Sequence, residues 1–141
     1  MNNFFSLNCR PVMTNHNMVM EAVKNFAVAN FNVTEMQLGD IGVCISEAYT
    51  NAVVFAFPEL KPDHIVVLTC TAQDDILRIT LTDNGVGIED VRQARKPMFT
   101  TDSDGNRSGM GFTIMESFST TLDVFSNKET GTVVTMTFEI K

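Results

Sequence analysis

Glu47 and Asn51, in the run Ile-Ser-Glu-Ala-Tyr-Thr-Asn-Ala-Val, carry oxygens that can bind a hard cation or move a proton. Four residues apart on a helix, they stand one turn from each other on the same side. They sit beside the apolar stripe of that helix, so both can face a ligand held at the edge of the core. An asparagine offers Mg2+ a neutral oxygen, and a glutamate can act as general base or orient a hydroxyl. The same spacing also suits an ordinary solvated polar pair. A second segment, Asp83-Asn84-Gly85-Val86-Gly87-Ile88, follows a β-branched run. Gly85 and Gly87 let the backbone take positive φ and approach a ligand closely. Asp83, at the strand's end, can accept a hydrogen bond from an exocyclic amine. Asp-Asn-Gly is equally a good strand-ending turn.

A third segment, Arg107-Ser108-Gly109-Met110-Gly111-Phe112, puts small residues at the start of a helix. Helix N-terminal amides bind phosphate with help from the helix dipole, and Arg107 adds a charge. The alternative is a glycine-rich loop entering an ordinary helix. Several other chemistries are excluded. The third glycine of a dinucleotide fingerprint would fall at Asp90, no Walker A phosphate loop occurs, and neither a His-Arg-Asp nor an Asp-Phe-Gly triplet is present.

These segments need elements to hold them. A first strand is expected over Phe4–Asn8. Thr14 or Asn15 can cap a helix in which Val19, Val23, Phe26 and Ala27 recur at helical spacing to about Asn30. Leu38, Ile41, Ile45, Ala48, Ala52 and Phe55 then form one apolar stripe, predicting a helix from about Thr34 to Phe57, where Pro58 stops it. Ile65–Thr71 and Ile76–Thr82 read as a hairpin turning at Gln73-Asp74-Asp75. A short helix over Ile88–Arg95, a polar loop over 96–108, a helix from Gly109 or Met110 to Phe118, and strands at Leu122–Ser126 and Thr132–Ile140 complete the chain. Helices and antiparallel strands are segregated, which predicts an α+β sandwich with the helices on one face of a sheet.

With 141 residues, 44% of them hydrophobic and 19% charged, the chain suits one domain spanning 1–141 with its own core. No apolar run reaches membrane-spanning length, and the N-terminus has no basic, then apolar, signal pattern, so a cytoplasmic protein is expected. A net charge of −7 argues against nucleic acid as the main partner and leaves room for a basic protein. Cys9, Cys44 and Cys70 are odd in number and widely spaced, with no CxxC or Cys/His cluster, so neither a disulfide framework nor a zinc site is indicated, and His16 and His64 stand alone.

Taken together and in this order, the three segments resemble the N, G1 and G2 boxes of the GHKL ATPase superfamily. ISEAYTNAV, TDNGVGI, ARKPMFTT and RSGMGFTIMESF are most similar to the bacterial anti-sigma factors that act as serine kinases, in their sporulation, anti-sigma-F branch. The resemblance runs from about Phe4 to Phe138. It implies a Bergerat-type two-layer α/β sandwich in which helices cover one face of a mixed, mostly antiparallel sheet and ATP lies under a lid at about 96–108. It implies a homodimer that inhibits a sigma factor and phosphorylates a serine of an anti-anti-sigma protein. By position, Asp83 would bind the adenine amine, with Thr132 assisting through a shared water. Gly85 and Gly87 would shape the adenine pocket. Asn51 would coordinate Mg2+, and Glu47 would take or orient the proton of the substrate serine. Thr100 and Thr101 would lie near the lid hinge and Arg107 near the γ-phosphate, with Ser108 beside it. Gly109, Met110 and Gly111 would present amides to the phosphates. Two departures concern partners: Phe55-Ala56-Phe57 stands where the family often has a His-Gly-Tyr type sequence, and Met20-Glu21 stands where close members carry an arginine used in partner binding. Two alternatives stay open, a sigma-binding module without kinase activity and a GHKL ATPase of the histidine-kinase type.

Overall fold

The computed structural model describes residues 2–96 and 110–141. Five strands, β1 (Asn3–Cys9), β2 (Val66–Gln73), β3 (Ile76–Asp83), β4 (Thr121–Asn127) and β5 (Gly131–Glu139), form one sheet in the order β1-β2-β3-β5-β4. Every pairing is antiparallel. Burial alternates along the inner strands, with Val66, Leu68, Cys70 and Ala72 of β2 and Leu77, Ile79 and Leu81 of β3 turned to one face. That period of two is what a sheet covered on one side produces.

Helices α1 (His16–Asn30), α2 (Glu35–Asn51) and α4 (Gly111–Phe118), with the single turn α3 (Val91–Ala94), supply the covering layer. The α1 stripe of Val19, Val23, Phe26 and Ala27 is buried in full. From α2 the core receives Ile41, Cys44, Ile45, Ala48 and Tyr49, and from α4 Met115. Burial in this core pushes the Cys44 and Cys70 thiols up to about 12, with Asp40 and Glu47 adding to the effect at Cys44. All three cysteines are free.

The start of α2 is fixed locally. Thr34 accepts from the Gln37 amide, and the Gln37 side chain accepts from the Thr34 amide, a reciprocal capping box. The end of α2 differs from expectation. Instead of an α-helix to Phe57, the coil widens into a π turn over Ala52–Ala56 directly after Asn51. The helix expected over Ile88–Arg95 shortens to α3, capped by the Asp90 side chain on the Gln93 amide.

A second clamp joins the end of β1 to the segment entering β2. The Arg10 guanidinium donates to the carbonyls of Lys61, Pro62 and His64 at 2.7–2.8 Å. The buried Tyr49 hydroxyl donates to the Val12 carbonyl at 2.7 Å. His16, which stood alone in the sequence, bonds Ser46 of α2 at 2.7 Å.

The capping box generates a stability prediction. Thr34→Ala should cost about 1 kcal/mol, a fall of about 2–4 °C in Tm for a chain of this size. Thermal unfolding followed by circular dichroism checks it; an unchanged Tm would mean that the cap contributes nothing.

Candidate functional site

A cavity of about 620 Å3 opens where the C-terminal end of α2, the loop after β3, α3 and the start of α4 meet β5. That volume suits an organic ligand of moderate size. Its wall combines apolar side chains such as Leu81, Ile88, Phe112 and Val134 with the polar groups of Asn51, Asp83 and Thr132.

Asp83 is the last residue of β3 and is buried. Its Oδ1 accepts from the Gly85 amide at 2.9 Å and from the Thr132 amide of β5 at 3.3 Å. Burial raises the Asp83 carboxyl above its ordinary range, and the two amide bonds pull it partly back. The following loop is closely held. The Val86 amide donates to the Ala56 carbonyl at 2.8 Å, tying the loop to the π turn after α2. A side chain at Gly85 would overlap that same carbonyl. Gly87 has φ +78, and a Cβ there would overlap the Asn127 carbonyl oxygen, so no other residue fits without strain. Asn84, read only as part of a turn, accepts from the Ile65 amide and donates to the Asp63 carbonyl, joining the loop to the segment before β2.

Asn51 and Glu47 lie at the first residue of α4. A Cβ added at Gly111 would sit 2.8 Å from Asn51 Nδ2, 3.2 Å from its Oδ1 and 3.3 Å from Glu47 Oε2. Glycine therefore keeps a space in which the oxygens of both α2 side chains face the start of a helix. One neutral oxygen, one carboxylate and a helix N-terminus form a donor set for a hard cation and an anion together. Among the described residues, protein side chains alone form no group of three or more metal-ligating residues.

Asn51, Asp83, Gly87, Gly111 and Thr132 of the expected set line the cavity. Glu47 stands against Gly111, Gly85 underpins the loop, and Met110 caps α4, its carbonyl accepting from the Ile114 amide at 2.8 Å. Thr100, Thr101, Arg107, Ser108 and Gly109, with the expected lid beyond Lys96, lie outside the described residues. Sequence reasoning missed Ser126. Its hydroxyl accepts from the Ile88 amide at 2.6 Å and bonds Thr132 Oγ1 at 2.8 Å. The only signal for it was cross-strand register, since Ser126 faces Thr132 in the β4–β5 hairpin.

Comparison with known proteins gives a consistent pattern. A model of the histidine kinase-like ATPase domain matches residues 13–138. The anti-sigma F factor of Oceanobacillus iheyensis is 39% identical over 140 residues, 99% of this chain and 94% of that protein. The anti-sigma F factor of Pasteuria penetrans is 43% identical over 120 residues, 82% of this chain and 80% of that one. Among solved structures, the RsbU and RsbW domains of a Mycobacterium tuberculosis protein align with a TM-score of 0.70 at 15% identity, over 98% of this chain and 32% of that longer one. The catalytic domain of the histidine kinase ThkA aligns with a TM-score of 0.57 at 17% identity, over 98% and 96%. These two likenesses are of fold alone.

The buried carboxyl makes a prediction for the ligand-free protein. Because its folded pKa is raised, the fold binds the proton more tightly than the unfolded chain does. Stability from this group therefore falls as pH rises through the ordinary carboxylate range and up to the raised value. Asp83→Asn keeps an oxygen for both amides and removes the charge, so Tm at pH 7.5 should rise by about 2–4 °C per kcal/mol released. The gain over wild type should shrink on acidification. A difference in Tm that is the same at pH 7.5 and pH 4.5 would contradict this account.

Proposed function

Because the chain belongs to the histidine kinase-like ATPase domain family, alongside the anti-sigma F factors, we propose that it is an anti-sigma factor and a protein-serine kinase. It binds and inhibits a sporulation-type sigma factor, and it uses Mg-ATP to phosphorylate a serine of its anti-anti-sigma antagonist. It acts as a homodimer in the cytoplasm. The observation that carries this reading is the convergence of Asp83, Thr132, Asn51 and Gly111 on one cavity, with Glu47 against Gly111.

Phosphoryl transfer asks a protein for positioning and charge neutralisation more than for covalent chemistry. Both Asp83 bonds described above use Oδ1, and Oδ2 is assigned to the adenine amine. The loop of Gly85 and Gly87 closes around the base, and Thr132 assists at the base edge. The amides of Gly109, Met110 and Gly111 hold the phosphates. Thr100, Thr101, Arg107 and Ser108 are assigned to the phosphate side and the lid. Asn51 supplies an oxygen to Mg2+, which when bound neutralises charge on the phosphate chain. Glu47 takes the proton of the acceptor serine while the serine oxygen bonds to the γ-phosphorus and the bond to the bridging oxygen breaks, leaving ADP. On α1, the exposed Glu21 lies 3.9 Å from Lys24. An acidic group therefore stands in the region assigned to the antagonist, which should be complementary to it.

Three measurements test the reading. Calorimetric titration should show saturable, Mg-dependent binding of ATP and none of GTP; a folded protein that binds neither sinks the proposal. Asp83→Asn should weaken ATP by roughly 10- to 100-fold, because it replaces an acceptor by a donor facing the amine. Glu47→Gln should retain Mg-ATP while slowing serine phosphorylation by at least about 100-fold. Full transfer by Glu47→Gln would remove Glu47 from the chemistry, and control of the sigma factor without any transfer would leave a binding module.

A further inference from the structure

The hydroxyl of Ser126 joins three segments at one atom. It accepts from the Ile88 amide at 2.6 Å, donates to the Gly131 carbonyl at 3.2 Å and bonds Thr132 Oγ1 at 2.8 Å. The Ile88 amide lies in the loop that follows Asp83, while Gly131 and Thr132 begin β5. Gly131 has φ +98, and a Cβ there would overlap the carbonyl oxygen of Asp83, so the hairpin is pressed against the end of β3. Ser126 itself does not line the cavity, but Thr132 does.

Proton counting decides what Thr132 offers a ligand. A serine hydroxyl has one hydrogen and two lone pairs. An amide can only donate and a carbonyl can only accept. The Ile88 amide therefore occupies one lone pair of Ser126. If Ser126 donates to Gly131, Thr132 must give its own hydrogen to the second lone pair, and all three bonds form together. If Ser126 donates to Thr132 instead, the Gly131 bond is lost. The first arrangement satisfies more polar groups in a half-buried position, where an unmade hydrogen bond is costly. In it the Thr132 hydroxyl hydrogen is engaged within the protein, and only acceptor pairs face the cavity. The Asp83 carboxylate beside it is also an acceptor.

We propose that Ser126 is a positioning residue for base selection: it fixes Thr132 as an acceptor, so that the floor of the cavity selects a purine carrying a six-position amine over one carrying a carbonyl. This rests on the nucleotide reading of the site. Ser126 touches neither base nor phosphate, and acts through Thr132.

The test compares ADP with inosine diphosphate, which differ in that amine and carbonyl, by calorimetry in Mg2+. Wild type should prefer ADP. Ser126→Ala frees the Thr132 hydrogen to meet the carbonyl, and the ADP-to-IDP affinity ratio should narrow about five- to tenfold. Ser126→Thr, which restores the hydroxyl, should restore the ratio. A purely structural role would weaken both nucleotides equally and leave the ratio unchanged, which overturns the inference. Ser126→Cys keeps the volume with little hydrogen bonding, and should narrow the ratio in the same way if the alanine variant does not fold. Binding of both nucleotides by wild type without discrimination overturns this inference and the assignment of Asp83 to the base amine, while an unchanged ratio in Ser126→Ala overturns this inference alone. Binding of neither overturns the nucleotide reading and this inference with it.

Discussion

A buried carboxylate costs free energy unless hydrogen bonds compensate it. Asp83 obtains its two at Oδ1 from different directions, one from the loop after its own strand and one from the neighbouring strand. The second requires Thr132 to stand opposite Asp83, the register in which β3 and β5 pair. A slip of one residue would turn Leu77, Ile79 and Leu81 away from the helices and carry Asp83 with them. The apolar pattern and the carboxylate thus demand the same register. The hairpin and the π turn are then arranged around that strand end, each tied to the loop after it by a hydrogen bond from Ile88 or Val86.

Helix α2 does two jobs with one periodicity. Ile41, Ile45 and Ala48 hold it to the sheet, and Glu47 and Asn51, offset from that stripe, are carried rigidly at the core's edge. A site on a packed helix keeps its geometry better than one on a loop. The π turn after Asn51 adds what an α-helix there would not supply in the same place, the Ala56 carbonyl that receives the Val86 amide. Single π turns often occur at functional positions in this way.

What was legible in the sequence was local. The spacing of Leu38, Ile41, Ile45 and Ala48 announced α2, and the adjacency of Asp83, Gly85 and Gly87 announced a held loop, because those relations are fixed within one or two turns of chain. The π turn left no signature, since Val53, Val54 and Phe55 fit either coil. The helix beginning at Ile88 was over-read because tertiary bonds prevail there: Ile88 donates to Ser126, which is 38 residues away. Asn84 looked like a turn former, while its side chain in fact bonds residues 19 and 21 positions earlier. Ser126 sat in a polar hairpin with nothing to distinguish it until cross-strand pairing set it against Thr132.

The position of β5 has a consequence for how this protein is made. It follows β4 in sequence, yet it lies inside the sheet, between β3 and β4. During synthesis β1, β2 and β3 emerge first and can pair, but the edge of β3 stays open until residues 131–139 leave the ribosome. Until then Asp83 has only one of its two amides, and the cavity lacks Thr132 and Val134. A nascent chain therefore has no finished pocket with which to capture a ligand early. The exposed edge of β3 is, for the same interval, open to mispairing with a neighbouring chain.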